Sequence, residues 1–292
     1  MLRSYLSILC IILSLTACRQ TEAPAVAEQP EKQTAAPMPA DAAVVENSRF
    51  DIYATVRLSA DLGGLSDRQK QMIPVLIEAS KIMDELFWKQ AYGDKATFLA
   101  GISDPAQRRF ADINYGPWDR LAADQPFIEG AGPKPLGARF YPEDMSKEEF
   151  EAWDQEGKDG LYTLVQRKAD GTLELIRYSD AYREELSRAA GLLRTAAELA
   201  DNLEFANYLM MRASALETDE FQPSDMAWMD MKSNPIELVI GPIETYEDQL
   251  FGYRSAYESY VLLKDMAWSE RLARFARYLP ELQTGLPVPD EY

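Results

Sequence analysis

A chain of 292 residues with 47% hydrophobic content is long enough to bury one large core or two small ones, so it is not disordered throughout. Its formal net charge of −18, from 48 acidic and 30 basic residues, argues against a phosphate-binding surface, because nucleic-acid affinity draws on clustered cations. No nucleic-acid partner is expected, and with no histidine in the chain any acid chemistry must work without imidazole.

The chain begins MLRSYLSILCIILSLTACRQ. Arg3 gives a basic start, residues 6–15 form an apolar run, and Leu15-Thr16-Ala17 brings small residues up to Cys18. The run is too short to span a membrane and suits an export signal. It resembles the bacterial lipobox, in which the cysteine is lipidated and becomes the first mature residue; a plain signal peptide with an incidental cysteine is the alternative. The expectation is a signal peptide over residues 1–17, lipidation at Cys18 and a membrane partner through that lipid anchor. Arg19 is not the aspartate that retains bacterial lipoproteins at the inner membrane, so the expected place is the cell envelope, at the outer membrane facing the periplasm. Cys10 falls inside the signal, which leaves the mature chain no internal disulfide. Residues 18–49 are rich in Ala, Pro, Glu and Gln and read as a disordered tether, with the globular part over residues 50–292.

After an extended DIYATVRL, the segment from Leu65 carries a possible capping box, Ser66 with Gln69, followed by Met72, Ile73, Leu76, Ile77, Met83 and Phe87 at helical spacing. Pro74 marks a possible kink, and Trp88 and Tyr92 could face a cleft. From Gly101 to Gly160 the glycines and prolines predict short elements, with a helix start at Ser146 and a plain loop at EGAGPKPLG, which lacks the following GK[ST] of a phosphate cradle. Residues 162–178 read as a hairpin turning at Asp170-Gly171. A long helical stretch follows, capped by Ser179 or Asp180, with Leu186, Ala190, Leu193, Ala197 and Ala200 on one face and a break at Asp201-Asn202. Strands are predicted at 236–240 and 259–263, then an amphipathic helix ending at Pro280. This order predicts an α+β fold, mostly helical, with a small β-sheet or partial barrel.

The stretch from Asp225 to Asp265, with IGPIETYED at its centre, resembles the dipeptidyl peptidase III family of zinc metallopeptidases, in its bacterial exported branch. KIMDELFWKQAYGD and INYGPWDRL are similar to the same branch. The resemblance implies half of a two-lobed metallopeptidase that releases dipeptides from peptide N-termini, with a peptide as substrate. Carried over onto the ETY motif, it implies that Glu244 meets the peptide's ammonium end and that Tyr246 supports the developing oxyanion. Trp228 is a candidate substrate-binding residue that could line the cleft or equally belong to the core. The family's zinc site resembles an HExxH-type helix with one inserted residue, and a chain without histidine cannot supply it. That helix lies C-terminal to the ETYED region in the family. The expectation is therefore a truncated reading frame, with a stand-alone remnant as the alternative, whose partner is the missing C-terminal zinc half, with no metal site and no activity of its own; zinc is expected for the full-length enzyme. The role of Glu247 is left open, while Asp248, Tyr253, Arg254 and Glu258 are expected to serve packing or surface ion pairs. Two other readings stand beside it: a glycosidase using Glu244 and Asp248 as paired carboxylates, and a non-catalytic exported lipoprotein that binds peptides or small amines.

Overall fold

The computed structural model describes residues 49–288. The signal peptide, Cys18 and nearly all of the tether lie outside the described residues. After a 3-10 turn at Arg49–Asp51 the chain runs without regular structure to Ser66, whose side chain and that of Gln69 form the reciprocal capping box that opens α1 (Asp67–Ala91). Met72, Leu76, Met83 and Phe87 of the predicted stripe are buried, whereas Ile77 is exposed. The helix continues through Pro74.

Short elements follow, as the glycines and prolines require: α2 (Lys95–Ala100), α3 (Pro105–Asn114), a two-residue hairpin of β1 (Trp118–Asp119) and β2 (Gln125–Pro126), and α4 (Lys147–Ala152) capped by Ser146. Strands β3 (Thr163–Arg167) and β4 (Leu173–Arg177) pair antiparallel across Gly171, whose φ of 86° suits the turn. Three helices then run as α5 (Tyr178–Ala181), α6 (Arg183–Leu199) and α7 (Leu203–Thr218). The break falls where expected, because the Asn202 side chain accepts the Phe205 N–H and caps α7. The predicted caps at Ser179 and Asp180 are not caps: α5 and α6 have no side-chain cap, and the Ser179 N–H donates instead to Asp219 at the far end of α7.

Helix α8 (Gln222–Asp230) leads to the strands β5 (Ile236–Glu244) and β6 (Ala256–Leu263), each longer than predicted and paired antiparallel. Helix α1 packs on both α6 and β6, so the apolar faces of α1, α6 and α7 and of β5 close one core. The chain leaves through α9 (Met266–Ala276) and α10 (Leu279–Thr284). Pro280 does not end the helix as predicted; it stands in the first turn of α10, where a missing N–H costs nothing. Neither helix buries a residue, and Trp268, Leu272 and Phe275 are exposed. Every sheet among the described residues is two-stranded, which gives the small-sheet form of the predicted α+β class. No helix among them is long and apolar enough to cross a membrane.

Candidate functional site

The end of β5 carries a bulge that decides which face its acids use. Gly241 pairs with Glu258 and Pro242 with Tyr257, but Glu244 pairs with Ala256, so Ile243 is the extra residue. Side chains alternate along a strand, and one inserted residue reverses the phase. Glu244 thereby joins Ala256 and Glu258 on one face; an unbroken register would have sent it to the other.

The two acids meet in a cleft of about 270 Å³ walled by Phe87 and Asp84 of α1, by Tyr115 after α3, and by Tyr246 just past β5. The Glu258 carboxyl lies close to that of Glu244. Burial and then the Glu244 carboxyl push the Glu258 pKa up to about 7, since a second negative charge so close to the first is unfavourable. One Glu258 oxygen is buried with no hydrogen-bond partner. Tyr246 is exposed, and burial of the rest of its ring raises the phenol pKa; Glu244, Glu258 and Glu247 add to the rise while Arg120 opposes it. On the opposite wall Tyr115 occupies a left-handed backbone position, φ 54°, and donates its hydroxyl to Asp84 at 2.6 Å.

Glu244 and Tyr246 are thus brought together, and Glu258 belongs with them, contrary to the expectation of packing or a surface pair. Trp228 is not in this cleft. It lines a second cavity of about 450 Å³ with Tyr208, Arg212, Phe221 and Ile243. Asp248 cannot serve as the second carboxylate of a glycosidase, because it is buried and organises its own loop: it accepts the Tyr141 hydroxyl at 2.8 Å and the N–H groups of Leu250, Phe251, Tyr253 and Arg254. Arg254 is buried on the carbonyls of Gly160 and Lys158, as a packing residue. Glu247, whose role was open, is fully buried: Arg120 donates to both its oxygens at 2.8 and 3.2 Å, and Lys134 reaches it at 2.8 Å. Those two cations outweigh burial and hold its pKa below the ordinary carboxylate value.

The donor set does not fit zinc. The chain has no imidazole, and among the described residues no three His, Cys, Asp or Glu side chains are placed to hold a metal ion. What the cleft offers is anionic: two carboxyls and a phenol at the end of a strand, suited to a group that brings positive charge.

Residues 154–292 match the model of Peptidase family M49. The fold is similar to dipeptidyl peptidase III from Caldithrix abyssi, with 42% identity and a TM-score of 0.74 over 80% of this chain and 46% of that one. It is similar as well to dipeptidyl-peptidase III from Corallococcus sp. strain EGB, at 36% identity and a TM-score of 0.74, covering 81% of this chain and 46% of the other. A protein of Arabidopsis thaliana named Nudix hydrolase 3 is 27% identical over 302 residues, 82% of this chain and 39% of its own length. The chain spans less than half the length of each of these relatives.

Proposed function

We propose, from the match of residues 154–292 to Peptidase family M49 and the similarity to dipeptidyl peptidase III structures, that this chain supplies the part of such an enzyme that recognises the free N-terminus of a peptide. The observation that carries this reading is the convergence of Glu244, Glu258 and Tyr246 in one cleft. An ammonium group removed from water needs a fixed anion, and a carboxyl pair at a strand end provides one without further rearrangement. The resemblance gives Tyr246 its part: its hydroxyl donates to the carbonyl oxygen of the bond to be cleaved, a hydrogen bond that strengthens as charge develops there. Zinc, which the family uses, would need ligands other than those described here, and no step of the reading passes through it. Release of dipeptides would accordingly require the peptide bond to meet that chemistry beyond this cleft.

The test is binding of alanyl-alanine amide and its N-acetyl derivative to the full chain by calorimetry. The expected result is preference for the free amine, and a roughly ten- to hundredfold loss of that affinity in Glu244→Gln, the scale of a charge-assisted contact. Equal affinity for the two probes would overturn the reading. Binding confined to small amines with no dependence on the second residue would favour the non-catalytic exported lipoprotein.

A further inference from the structure

The segment INYGPWDRL contributes Tyr115 to the cleft, and its last charged residue, Arg120, pairs with Glu247, the neighbour of Tyr246. Arg120 is fixed from three directions. Its backbone N–H donates to the Asn114 side chain at 3.0 Å, and its Nε donates to the Asn114 carbonyl at 2.9 Å. Its fork closes on Glu247, the residue after Tyr246, 127 positions along the chain. Its guanidinium lies over the rings of Phe87 and Tyr115, at 5.4 and 5.8 Å from their centroids. Both rings line the cleft, as does Tyr246. One cation therefore ties together α1, the turn after α3 and the β5–β6 loop, the three elements that wall the cleft.

We propose that Arg120 is a positioning residue of this cleft: clamped on Glu247, it holds the Tyr246 wall against the Phe87 and Tyr115 wall and keeps a positive charge behind the phenol. The bidentate fork gives the clamp direction that a lysine in its place would lack. Asn114 is 2% exposed and has Arg120 as a partner of both its side chain and its carbonyl, so the guanidinium has little freedom to turn away. Lys134 also pairs with Glu247, but it makes no ring contact with the opposite wall among those described. The inference rests on reading the cleft as the amine site, yet its first test needs no ligand.

That test is the NMR titration of the full chain carrying tyrosine labelled with carbon-13 at Cζ, the Tyr246 resonance being assigned by its loss in Tyr246→Phe. The charged groups around that phenol are Glu244, Glu258 and Glu247 from the β5–β6 hairpin, Asp84 from α1 and Arg120 itself. With this opposing cation gone, Arg120→Gln should displace the Tyr246 resonance and move its titration to higher pH. Arg120→Lys should leave the titration near that of the natural protein while still displacing the resonance, because charge is kept and the clamp is lost. Affinity for alanyl-alanine amide should fall about tenfold in Arg120→Gln, and less in a Tyr246→Phe background, since the two residues act as one unit. An unmoved Tyr246 resonance and titration in folded Arg120→Gln would overturn the proposal. Should that variant not fold, an unmoved resonance in Arg120→Lys overturns it equally. If the natural chain binds no amine probe, the amine reading fails while the titration still decides the role of Arg120.

Discussion

Glu244 and Glu258 face each other carboxyl to carboxyl across the bulge in the β5–β6 hairpin, and one of the pair, Glu258, keeps its proton up to about pH 7. Two like charges this close repel, which with burial raises the Glu258 carboxyl. An ammonium group entering the cleft brings the positive charge the proton supplied, so amine binding and loss of the proton are linked.

The linkage has a definite sign. In the unfolded chain Glu258 has its ordinary value of 4.5, and in the folded chain its value is about 7. The folded protein therefore holds a proton that the unfolded chain has released between those values, and stability should fall as pH rises from about 4.5 to 7. Glu247 acts in the opposite direction and in a different window: its lowered pKa adds stability above 4.5 that is lost as pH falls below it. Urea midpoints measured from pH 5 to 8 should decline in the natural protein and stay level in Glu258→Gln. The same decline in both proteins would remove Glu258 as its source.

How far the sequence reveals this arrangement depends on the range of the interactions involved. Helix α1 is legible because its capping box and its apolar stripe are local, and the hairpin turn at Asp170-Gly171 is legible because glycine meets a positive φ there. The break before α7 is legible for the same reason, since Asn202 bonds a backbone group three residues away. Ser179 misleads because the partner of its N–H, Asp219, is 40 residues distant. Glu258 misleads for a subtler reason. Its pairing with Glu244 depends on a bulge at Ile243, and alternation alone puts the two on opposite faces. Glu247 could not be assigned from its neighbours, because both of its cations arrive from the segment between α3 and α4. Glu244 and Tyr246 were legible only through the family motif, since an acid and an aromatic at a strand end carry no signal by themselves.

The N-terminal reading makes its own prediction. If Cys18 carries lipid, the natural chain expressed in a bacterium with two membranes should pellet with the outer membrane, and Cys18→Ser should appear in the soluble periplasmic fraction. Unchanged fractionation of Cys18→Ser would count against lipidation and favour a plain signal peptide.

Asp248 organises the loop that carries Tyr246 and Glu247, and its replacement should therefore be felt in both stability and binding. Its carboxylate accepts four backbone N–H groups between Leu250 and Arg254 together with the Tyr141 hydroxyl, all at 2.8–3.1 Å, and the residue is 3% exposed. An asparagine fits the same space but turns an NH₂ group toward donors, which leaves several buried N–H groups unpaired. Hydrogen bonds to a charged group are worth about 1.5–3 kcal/mol, and burying an unpaired donor costs about 1–3 kcal/mol, so Asp248→Asn should lose at least about 3 kcal/mol. Tyr141→Phe removes one of the five bonds without leaving an orphaned donor, and should lose about 1.5 kcal/mol, the low end of that range, because the carboxylate keeps its four backbone donors. Urea unfolding at constant slope distinguishes the two, because a lower midpoint with an unchanged slope reports stability alone. Affinity for alanyl-alanine amide should fall in Asp248→Asn and hold in Tyr141→Phe, as the first releases the loop behind Tyr246 and the second leaves its four backbone anchors in place. A midpoint for Asp248→Asn equal to that of Tyr141→Phe would show that the loop holds its shape without the carboxylate.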